Sequence, residues 1–150
     1  MKRLVLAAAA VAGLATALPA AAQFQKPEDA IKYRKAAFTL MANHFGRVAA
    51  MASGRAPFDA AAAQANADLV VTLSKLPYAG FIDGTSSGDT KAKPEIWSER
   101  DKFNAAAGKM QEEVVKLSAA AKTGNLDQVK AAVGEVGKSC KACHDNYRKE

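Results

Sequence analysis

The apolar residues of this chain recur at helical spacing in four separate segments, and no other feature constrains its fold as strongly. The clearest case is a seven-residue repeat made by Ile96, Phe103, Met110 and Leu117. Apolar residues at this spacing form one face of an amphipathic helix. Four such helices, joined mostly by short loops, predict an all-α fold, an antiparallel four-helix bundle.

Proline, glycine and capping residues mark the ends of these helices. In chain order, the predicted helices run from about Pro27 to Gly54, from Asp59 to Pro77, from Pro94 to Gly124 and from Asn125 to near the C-terminus. Gln128 stands where the capping-box partner of Asn125 is expected. The long connection 77–94 is predicted to turn Phe81 and Ile82 inward and to leave its Gly-Ser-Asp stretch exposed.

The first 22 residues have the pattern of a secretory signal peptide. Lys2 and Arg3 form a positive start, which an apolar run and an A-x-A cleavage pattern follow. A membrane anchor is the alternative, but the apolar run is short for a span and ends in proline and small residues. We therefore expect cleavage after Ala22 and export of the domain 23–150, to the periplasm where the cell has an outer membrane.

The charge of the chain gives little indication of its partners. Removal of the signal peptide lowers the net charge from +6 to +4, because two cations and no acids leave with it. The remaining lysines are scattered among acidic residues without interleaved aromatics, so nothing favours nucleic-acid binding. No later segment is apolar enough to cross a membrane, and we expect no membrane association after cleavage. Attraction to an acidic redox partner stays open.

The only two cysteines of the chain lie in the pentapeptide Cys140-Lys141-Ala142-Cys143-His144. A disulfide between them would close a very short loop and stabilise little. A structural zinc needs about four ligands, and the pentapeptide supplies three. A thioredoxin-like dithiol is expected near a βαβ pattern, which this sequence does not have.

A covalently held haem uses each of the three reactive residues. Each thiol adds across one haem vinyl group to form a thioether, and His144 binds the iron through its imidazole. On a helix, Cys140, Cys143 and His144 share one face, because residues three and four apart are neighbours. Cys-x-x-Cys-His in an exported chain is a specific signal, so the sequence predicts one haem c with His144 as the axial iron ligand.

Three stretches of the chain resemble the cytochrome c′ family, the bundle-type class of c cytochromes. They are "QFQKPEDAIKYRKAAFTLMANHFGRV", "KPEIW" and "VGKSCKACHDNYRK", and the resemblance covers the whole chain after the signal peptide. It implies a haem inside the bundle whose iron is held by His144 alone. It also implies a periplasmic homodimer packed through its first two helices, binding of nitric oxide and carbon monoxide, and electron transfer with an unidentified redox partner.

The resemblance also bears on the sixth coordination site of the iron. In six-coordinate relatives a methionine of the first helix ligates the iron, and alignment of the motifs puts Phe38 at that position. Phenylalanine cannot ligate, so we expect a five-coordinate, high-spin iron. The alternative is a six-coordinate, low-spin electron shuttle in which Met41 or another donor completes the iron, although Met41 is also a suitable core residue. His44 is expected on the flank of the helix.

An apolar distal pocket has consequences for the ligands it admits. Phe38 offers bound dioxygen no hydrogen bond, whereas carbon monoxide and nitric oxide need less help. We find no distal acid–base pair of the kind that nitric oxide reduction or peroxidase turnover needs. The sequence therefore predicts a binding and electron-transfer protein and not an enzyme.

Two basic residues of the first helix are candidates for a haem propionate. Arg34 lies one turn before Phe38 on the same stripe, and the family places an arginine there. The alternative is a surface arginine that snorkels. Lys35 is a second candidate for the same role.

Three further residues are candidates for the haem surroundings. Asp89 in the long loop and Trp97 in the third helix are predicted to edge the haem, with plain packing as the alternative. Arg148 follows His144 by one turn and is predicted beside the imidazole on the proximal side. A cation that complements the helix dipole is the alternative for Arg148.

Overall fold

The computed structural model describes residues 23–150, so the predicted signal peptide and its cleavage site after Ala22 lie outside the described residues. In chain order the helices are α1 (Pro27–Ala52), α2 (Ala60–Leu73), α3 (Glu95–Ser98), α4 (Arg100–Lys122) and α5 (Leu126–Tyr147), with a 3₁₀ turn at Pro77–Gly80 between α2 and α3. Each long helix packs against the next along the chain, and α5 closes the bundle against α1. The all-α four-helix bundle is confirmed. None of the helices within 23–150 is long and apolar enough to span a bilayer.

The ends of the long helices follow the predicted signals. Pro27 opens α1, and Gly54 follows its end with φ +76°, a left-handed conformation that glycine adopts without strain. Asp59 caps α2 by accepting the backbone N–H of Ala62 at 2.9 Å. Asn125 caps α5 in the same way, because its side chain accepts the N–H of Gln128 at 3.1 Å.

The predicted capping box at α5 is wrong. Its second half would have the Gln128 side chain accept the backbone N–H of Asn125. That N–H instead donates to the hydroxyl oxygen of Thr123 at 3.1 Å. The preceding turn therefore satisfies the group for which the glutamine was expected.

Two predicted helices differ in extent from the structure. The third is interrupted at Glu99, whose φ of −122° and ψ of 44° separate α3 from α4. The second ends at Leu73, because Pro77 has no backbone N–H to donate to the Leu73 carbonyl. The carbonyl of Ser74 beyond it accepts the side-chain amide of Gln111 on α4 at 3.1 Å.

Within residues 23–150, the buried apolar residues form two clusters, and the seven-residue repeat is divided between them. Met110 and Leu117 belong to the main core between the four long helices. Ile96 and Phe103 belong to a second, aromatic cluster with Phe81 and Tyr147 at one end of the bundle. Burying each of these large side chains contributes roughly 1.5–3 kcal/mol.

The long connection folds back on the bundle more closely than predicted. Phe81 is buried as expected, but Ile82 is 40% exposed, because its carbonyl, not its side chain, faces the protein and accepts the indole N–H of Trp97 at 3.1 Å. Thr85 is fully buried although it lies in the stretch predicted to be exposed. The path of this loop is therefore fixed by polar contacts that helical periodicity does not reveal.

The end of the loop is paired with the residues that follow α5. Ala92 and Arg148 form an isolated antiparallel bridge. The N–H of Lys93 donates to the carbonyl of Tyr147 at 3.0 Å, and the N–H of Lys149 donates to the carbonyl of Lys91 at 2.7 Å. The bridge attaches the loop to the C-terminal end of the helix that carries the Cys-x-x-Cys-His motif.

Candidate functional site

A cavity of about 640 Å³ opens where the two apolar clusters meet. Side chains of α1, the long loop, α4 and α5 line it, together with Val70 of α2 and Ile96 of α3. A volume of this size is in the range of cofactor and ligand sites, roughly 300–1,000 Å³.

The reactive residues of the pentapeptide share one wall of this cavity. Cys140, Cys143 and His144 all line it, whereas Lys141 and Ala142 are exposed and do not. Both cysteines are free thiols. The predicted common face of α5 is confirmed.

The protonation of these groups follows from their partial burial. Desolvation raises the pKa of the Cys140 and Cys143 thiols, so both are neutral at physiological pH. Burial, and then the positive charge of Arg148, lowers the pKa of His144. The imidazole is therefore neutral near pH 7, which is the form that binds a metal.

The rest of the cavity has an apolar wall and a cationic rim. Its wall includes Phe38, Met41, Phe81, Phe103, Met110 and Val136. Among residues 23–150, the cations that line it are Arg34, Lys35, Lys91 and Arg148, and the one carboxylate is that of Asp89. A flat apolar macrocycle with two acidic substituents matches this distribution, and two thiols and a neutral imidazole supply its attachment. The residues present fit a covalent haem.

The structure separates the candidate sixth ligands. Phe38 lines the cavity as predicted. Met41 also lines it but is 9% exposed and packs in the main core. His44 does not contribute to the cavity, and its Nδ1 lies 2.9 Å from the side-chain oxygen of Asn66 on α2. The predicted flank position of His44 is confirmed.

Arg34 is buried and holds the long loop. Its Nη1 donates to the Gly80 carbonyl at 2.8 Å and to the Thr85 hydroxyl at 2.7 Å, and its Nη2 donates to the Thr85 carbonyl at 2.7 Å and to the Thr90 hydroxyl at 2.8 Å. The snorkelling alternative is wrong, because only 2% of Arg34 is exposed. Burial lowers the pKa of Arg34 to about 10. Contact with a propionate stays a prediction, since both terminal nitrogens already donate to the loop.

Lys35 and Asp89 form an ion pair at the cavity rim. The Lys35 ammonium lies 2.6 Å from a carboxylate oxygen of Asp89, and both side chains line the cavity. Their hydrogen bond and the lysine charge lower the pKa of Asp89. The contact of Lys35 with a propionate and the place of Asp89 at the haem edge stay predictions, and the pairing of the two residues was not predicted.

Trp97 does not line the cavity, and its predicted place at the haem edge stays a prediction. Its indole N–H donates to the Ile82 carbonyl, and its ring packs behind Phe81 at 6.1 Å between ring centres. The Arg34 guanidinium lies 5.6 Å from the Trp97 ring, and that of Arg100 lies 5.9 Å from it. Phe81 lines the cavity here, and Trp97 packs against Phe81 without lining the cavity itself.

Arg148 lines the cavity, and its backbone N–H donates to the His144 carbonyl at 3.0 Å. Its charge is one of the causes of the lowered His144 pKa, which agrees with a position near the imidazole. A contact between its side chain and a bound ligand stays a prediction.

Three polar residues of the long loop at this site were missed by sequence reasoning. Thr90 and Lys91 line the cavity, and Thr85 supplies two of the acceptors that hold Arg34. These residues lie in a loop without periodicity. The one signal for them was the unusual length of the 77–94 connection, which is typical of a functional segment.

Comparison with known proteins agrees with this site. The family model described as cytochrome C′ matches residues 29–148. Cytochrome c′ of Rubrivivax gelatinosus is 60% identical over 129 residues, which cover 85% of this chain and 100% of the relative. Cytochrome c′ of Alcaligenes xylosoxydans xylosoxydans is 56% identical over 128 residues, which cover 85% of this chain and 99% of the relative.

Solved structures give the same result. The crystal structure of the Rubrivivax gelatinosus protein superposes with a TM-score of 0.81 over 85% of this chain and 100% of its own. The nitric oxide complex of a mutant cytochrome c′ from Alcaligenes xylosoxidans, 54% identical, superposes with a TM-score of 0.80 over 85% of this chain and 99% of its own. Proteins of this family carry one covalently bound haem c. The bundle, the cavity with its two thiols and imidazole, and these relatives together show that the chain belongs to the cytochrome c′ family.

Proposed function

We propose that this protein is a periplasmic haem protein with a five-coordinate, high-spin iron, which binds nitric oxide and carbon monoxide and passes single electrons. The observation that carries the proposal is the composition of one cavity. It contains the two thiols and imidazole of a haem c attachment site and, on α1, Phe38, a side chain that cannot ligate iron. The bound haem supplies the redox couple and the metal site, whereas the protein controls access and polarity.

The surroundings of Phe38 support an open but apolar distal side. Its aromatic neighbours are Tyr78 and Phe81, both part of the loop that closes this end of the bundle. The Phe38 ring gives a bound dioxygen molecule no hydrogen bond to stabilise its polar form, whereas carbon monoxide and nitric oxide depend less on such a donor. The nitric oxide complex known for a mutant cytochrome c′ from Alcaligenes xylosoxidans supports gas binding as the function.

We further propose that the protein does not turn over a substrate. General acid–base chemistry needs a titratable side chain within hydrogen-bond reach of the reacting atoms. Phe38 occupies the position on α1 where such a group would be needed. Of its two aromatic neighbours, Phe81 has no titratable group, and burial raises the pKa of the Tyr78 phenol, which therefore stays protonated at physiological pH. These rings favour reversible binding over catalysis.

The proposed assembly is a homodimer through α1 and α2. Two large apolar side chains on these helices are exposed, Leu40 at 51% and Leu69 at 46%, and Leu76, in the turn after α2, is 38% exposed. The outer side of α1 also carries small residues, and a Cβ built on Gly46 meets no atom within 4 Å. A surface of this kind permits close approach of a second copy.

One specific observation favours the alternative, a six-coordinate electron shuttle. The Met41 side chain lines the same cavity as His144, and methionine is an established axial haem ligand. Against it, Met41 is 9% exposed and its contacts are those of a core residue between α1 and the other long helices.

The visible spectrum of the haem-loaded mature protein distinguishes the two. We expect high-spin ferric and ferrous spectra and a Soret shift when carbon monoxide is added to the reduced protein. Sharp low-spin bands that do not change when carbon monoxide is added would contradict the proposal. In that case Met41→Leu should convert the spectrum to high spin if Met41 is the ligand, and Met51→Leu, which changes a buried methionine outside the cavity, should not.

A further inference from the structure

The ring of Phe38 is in contact with two other rings of the long loop. Its centre lies 6.2 Å from that of Tyr78 and 6.3 Å from that of Phe81, with interplanar angles of 82° and 70°. Both are edge-to-face arrangements, which are favourable for aromatic pairs. Phe38 itself is only partly buried, so its neighbours decide how far its ring can move.

Phe81 is held from several sides, unlike Phe38. The Arg34 guanidinium lies 4.5 Å from the centre of its ring, and the ring of Phe103 is 4.9 Å away at an angle of 63°. The ring of Trp97 packs on the Phe81 ring at 6.1 Å between ring centres. The backbone carbonyl of Phe81 accepts a hydrogen bond from Arg100 at 3.0 Å. Only 7% of the residue is exposed.

The backbone next to Phe81 is fixed as well. The carbonyl of Gly80 accepts the Arg34 hydrogen bond at 2.8 Å. A Cβ built on Gly80 would lie 2.6 Å from the carbonyl oxygen of Ala30, so the turn is in direct contact with α1. The backbone at Phe81 therefore cannot shift away from Phe38 without moving α1 or breaking the hydrogen bond between Arg34 and Gly80, and the packed neighbours of the Phe81 ring restrict its rotation.

We propose that Phe81 is a positioning residue for ligand entry: it blocks the outward swing of the Phe38 ring and so sets the rate at which a small gas reaches the iron. The proposal rests on the proposed function, because it presumes an iron with an open side. Its physical basis is close packing, since a ring can rotate away only if its neighbours leave room. Phe38 is then the gate, and Phe81 is the support that limits its opening.

A double-mutant cycle tests whether Phe81 acts through Phe38. The probe is carbon monoxide, with its association rate measured by flash photolysis on the reduced, haem-loaded protein. Phe81→Leu should speed association about threefold or more, because the Phe38 ring gains room. In a Phe38→Ala background the same change should alter the rate by less than about 1.5-fold, since the gate is already gone. Equal effects in both backgrounds, or no effect in the wild-type background, would overturn the proposal.

A second readout follows the ring of Phe38 directly. Aromatic carbon relaxation dispersion on the diamagnetic ferrous–carbon monoxide protein should show faster exchange of the Phe38 ring in Phe81→Leu than in wild type. Phe58→Leu is the control, because Phe58 packs against the main core and does not line the cavity. An unchanged Phe38 ring in Phe81→Leu, or the same acceleration in Phe58→Leu, would refute the positioning role and leave only a general loss of packing.

The two proposals fail in different ways. If the reduced wild-type protein binds no carbon monoxide and is low-spin, the five-coordinate function is wrong. A six-coordinate ferrous haem is itself diamagnetic, so the ring motion of Phe38 in Phe81→Leu and Phe58→Leu can still be compared. If the Phe38 ring then moves faster in Phe81→Leu but not in Phe58→Leu, Phe81 does restrict the Phe38 ring, even though the five-coordinate function is wrong.

Discussion

Gly80 and Ala30 are in backbone contact at the point where the 3₁₀ turn meets α1. A Cβ built on Gly80 would lie 2.6 Å from the carbonyl oxygen of Ala30 and 2.9 Å from the Cβ of Arg34. The first distance is too short for a non-bonded carbon and oxygen and the second for two non-bonded carbons, so only glycine permits this approach. The contact brings the Gly80 carbonyl within 2.8 Å of the Arg34 guanidinium and thereby fixes the start of the long loop.

Gly80→Ala should destabilise the protein by roughly 2–4 kcal/mol, because an overlap with helix backbone cannot be relieved by a side-chain rotation. Chemical denaturation of the haem-loaded protein measures the free energy of unfolding. The matched control is Gly134→Ala on α5, where an added Cβ meets no atom within 4 Å. That change should be neutral or stabilise by up to about 1 kcal/mol, since alanine favours a helix over glycine. Similar losses at both positions would contradict the close contact.

Arg34→Met should loosen the loop, because it leaves the Gly80 carbonyl and both polar oxygens of Thr85 without their partner. We expect a loss of roughly 2–4 kcal/mol in the free energy of unfolding, together with faster proteolysis within 77–94. Arg47→Met, which removes an exposed arginine of the same helix, should change neither measurement. A variant that keeps its stability and shows only a changed reduction potential would mean that Arg34 serves the haem and not the loop.

The four-helix bundle could be predicted from the sequence, because its buried apolar residues recur with the period of a helix. The inward positions of α1, α2, α4 and α5 recur at helical spacing, and capping residues such as Asp59 and Asn125 mark where the pattern starts. The attachment site was accessible for the same reason. Cys140, Cys143 and His144 share a helix face, so their common position follows from the helix alone.

The long loop was not accessible, because contacts far apart in sequence determine its path. Arg34 reaches Thr85 and Thr90 across 51 and 56 residues, and no local pattern reports such a partner. The Lys35–Asp89 pair was missed for the same reason. The packing of Trp97 against Phe81 was missed as well, because a position along α3 does not reveal a contact with the long loop.

The Lys35–Asp89 pair predicts a titration at the cavity rim. Lys35 holds the pKa of Asp89 below its ordinary value of 3.8, so the ion pair is complete above that pH and is lost only as the pH falls through the lowered pKa. Carboxyl carbon NMR should show the pKa of Asp89 rising toward its ordinary value in Lys35→Met. Lys141→Met, which removes the partner of Asp145 instead, should leave Asp89 unchanged. An unaltered Asp89 pKa in Lys35→Met would mean that the pair does not persist in solution.

The proposed dimer predicts that Leu40→Arg yields a monomer. Leu40 is 51% exposed on α1, and a cation there would have to be buried against a second copy without a partner. Sedimentation equilibrium of the mature protein measures the association. Val115→Arg is the matched control, because Val115 is 53% exposed on α4, away from the proposed interface. A dimer that survives Leu40→Arg but dissociates with Val115→Arg would place the interface on α4.

Phe38→Ala should speed carbon monoxide association with the reduced protein by roughly tenfold, equivalent to about 1.4 kcal/mol of the entry barrier. The Phe38 ring lines the same cavity as His144. Removing it leaves a space that the Phe81 ring, held by its packed neighbours, cannot fill. Flash photolysis measures the rate, and Val115→Ala on the outer face of α4 supplies an exposed control. An unchanged rate in Phe38→Ala would exclude this ring as the barrier to entry. Met41, which lines the cavity about one turn further along α1, would then be the side chain to replace.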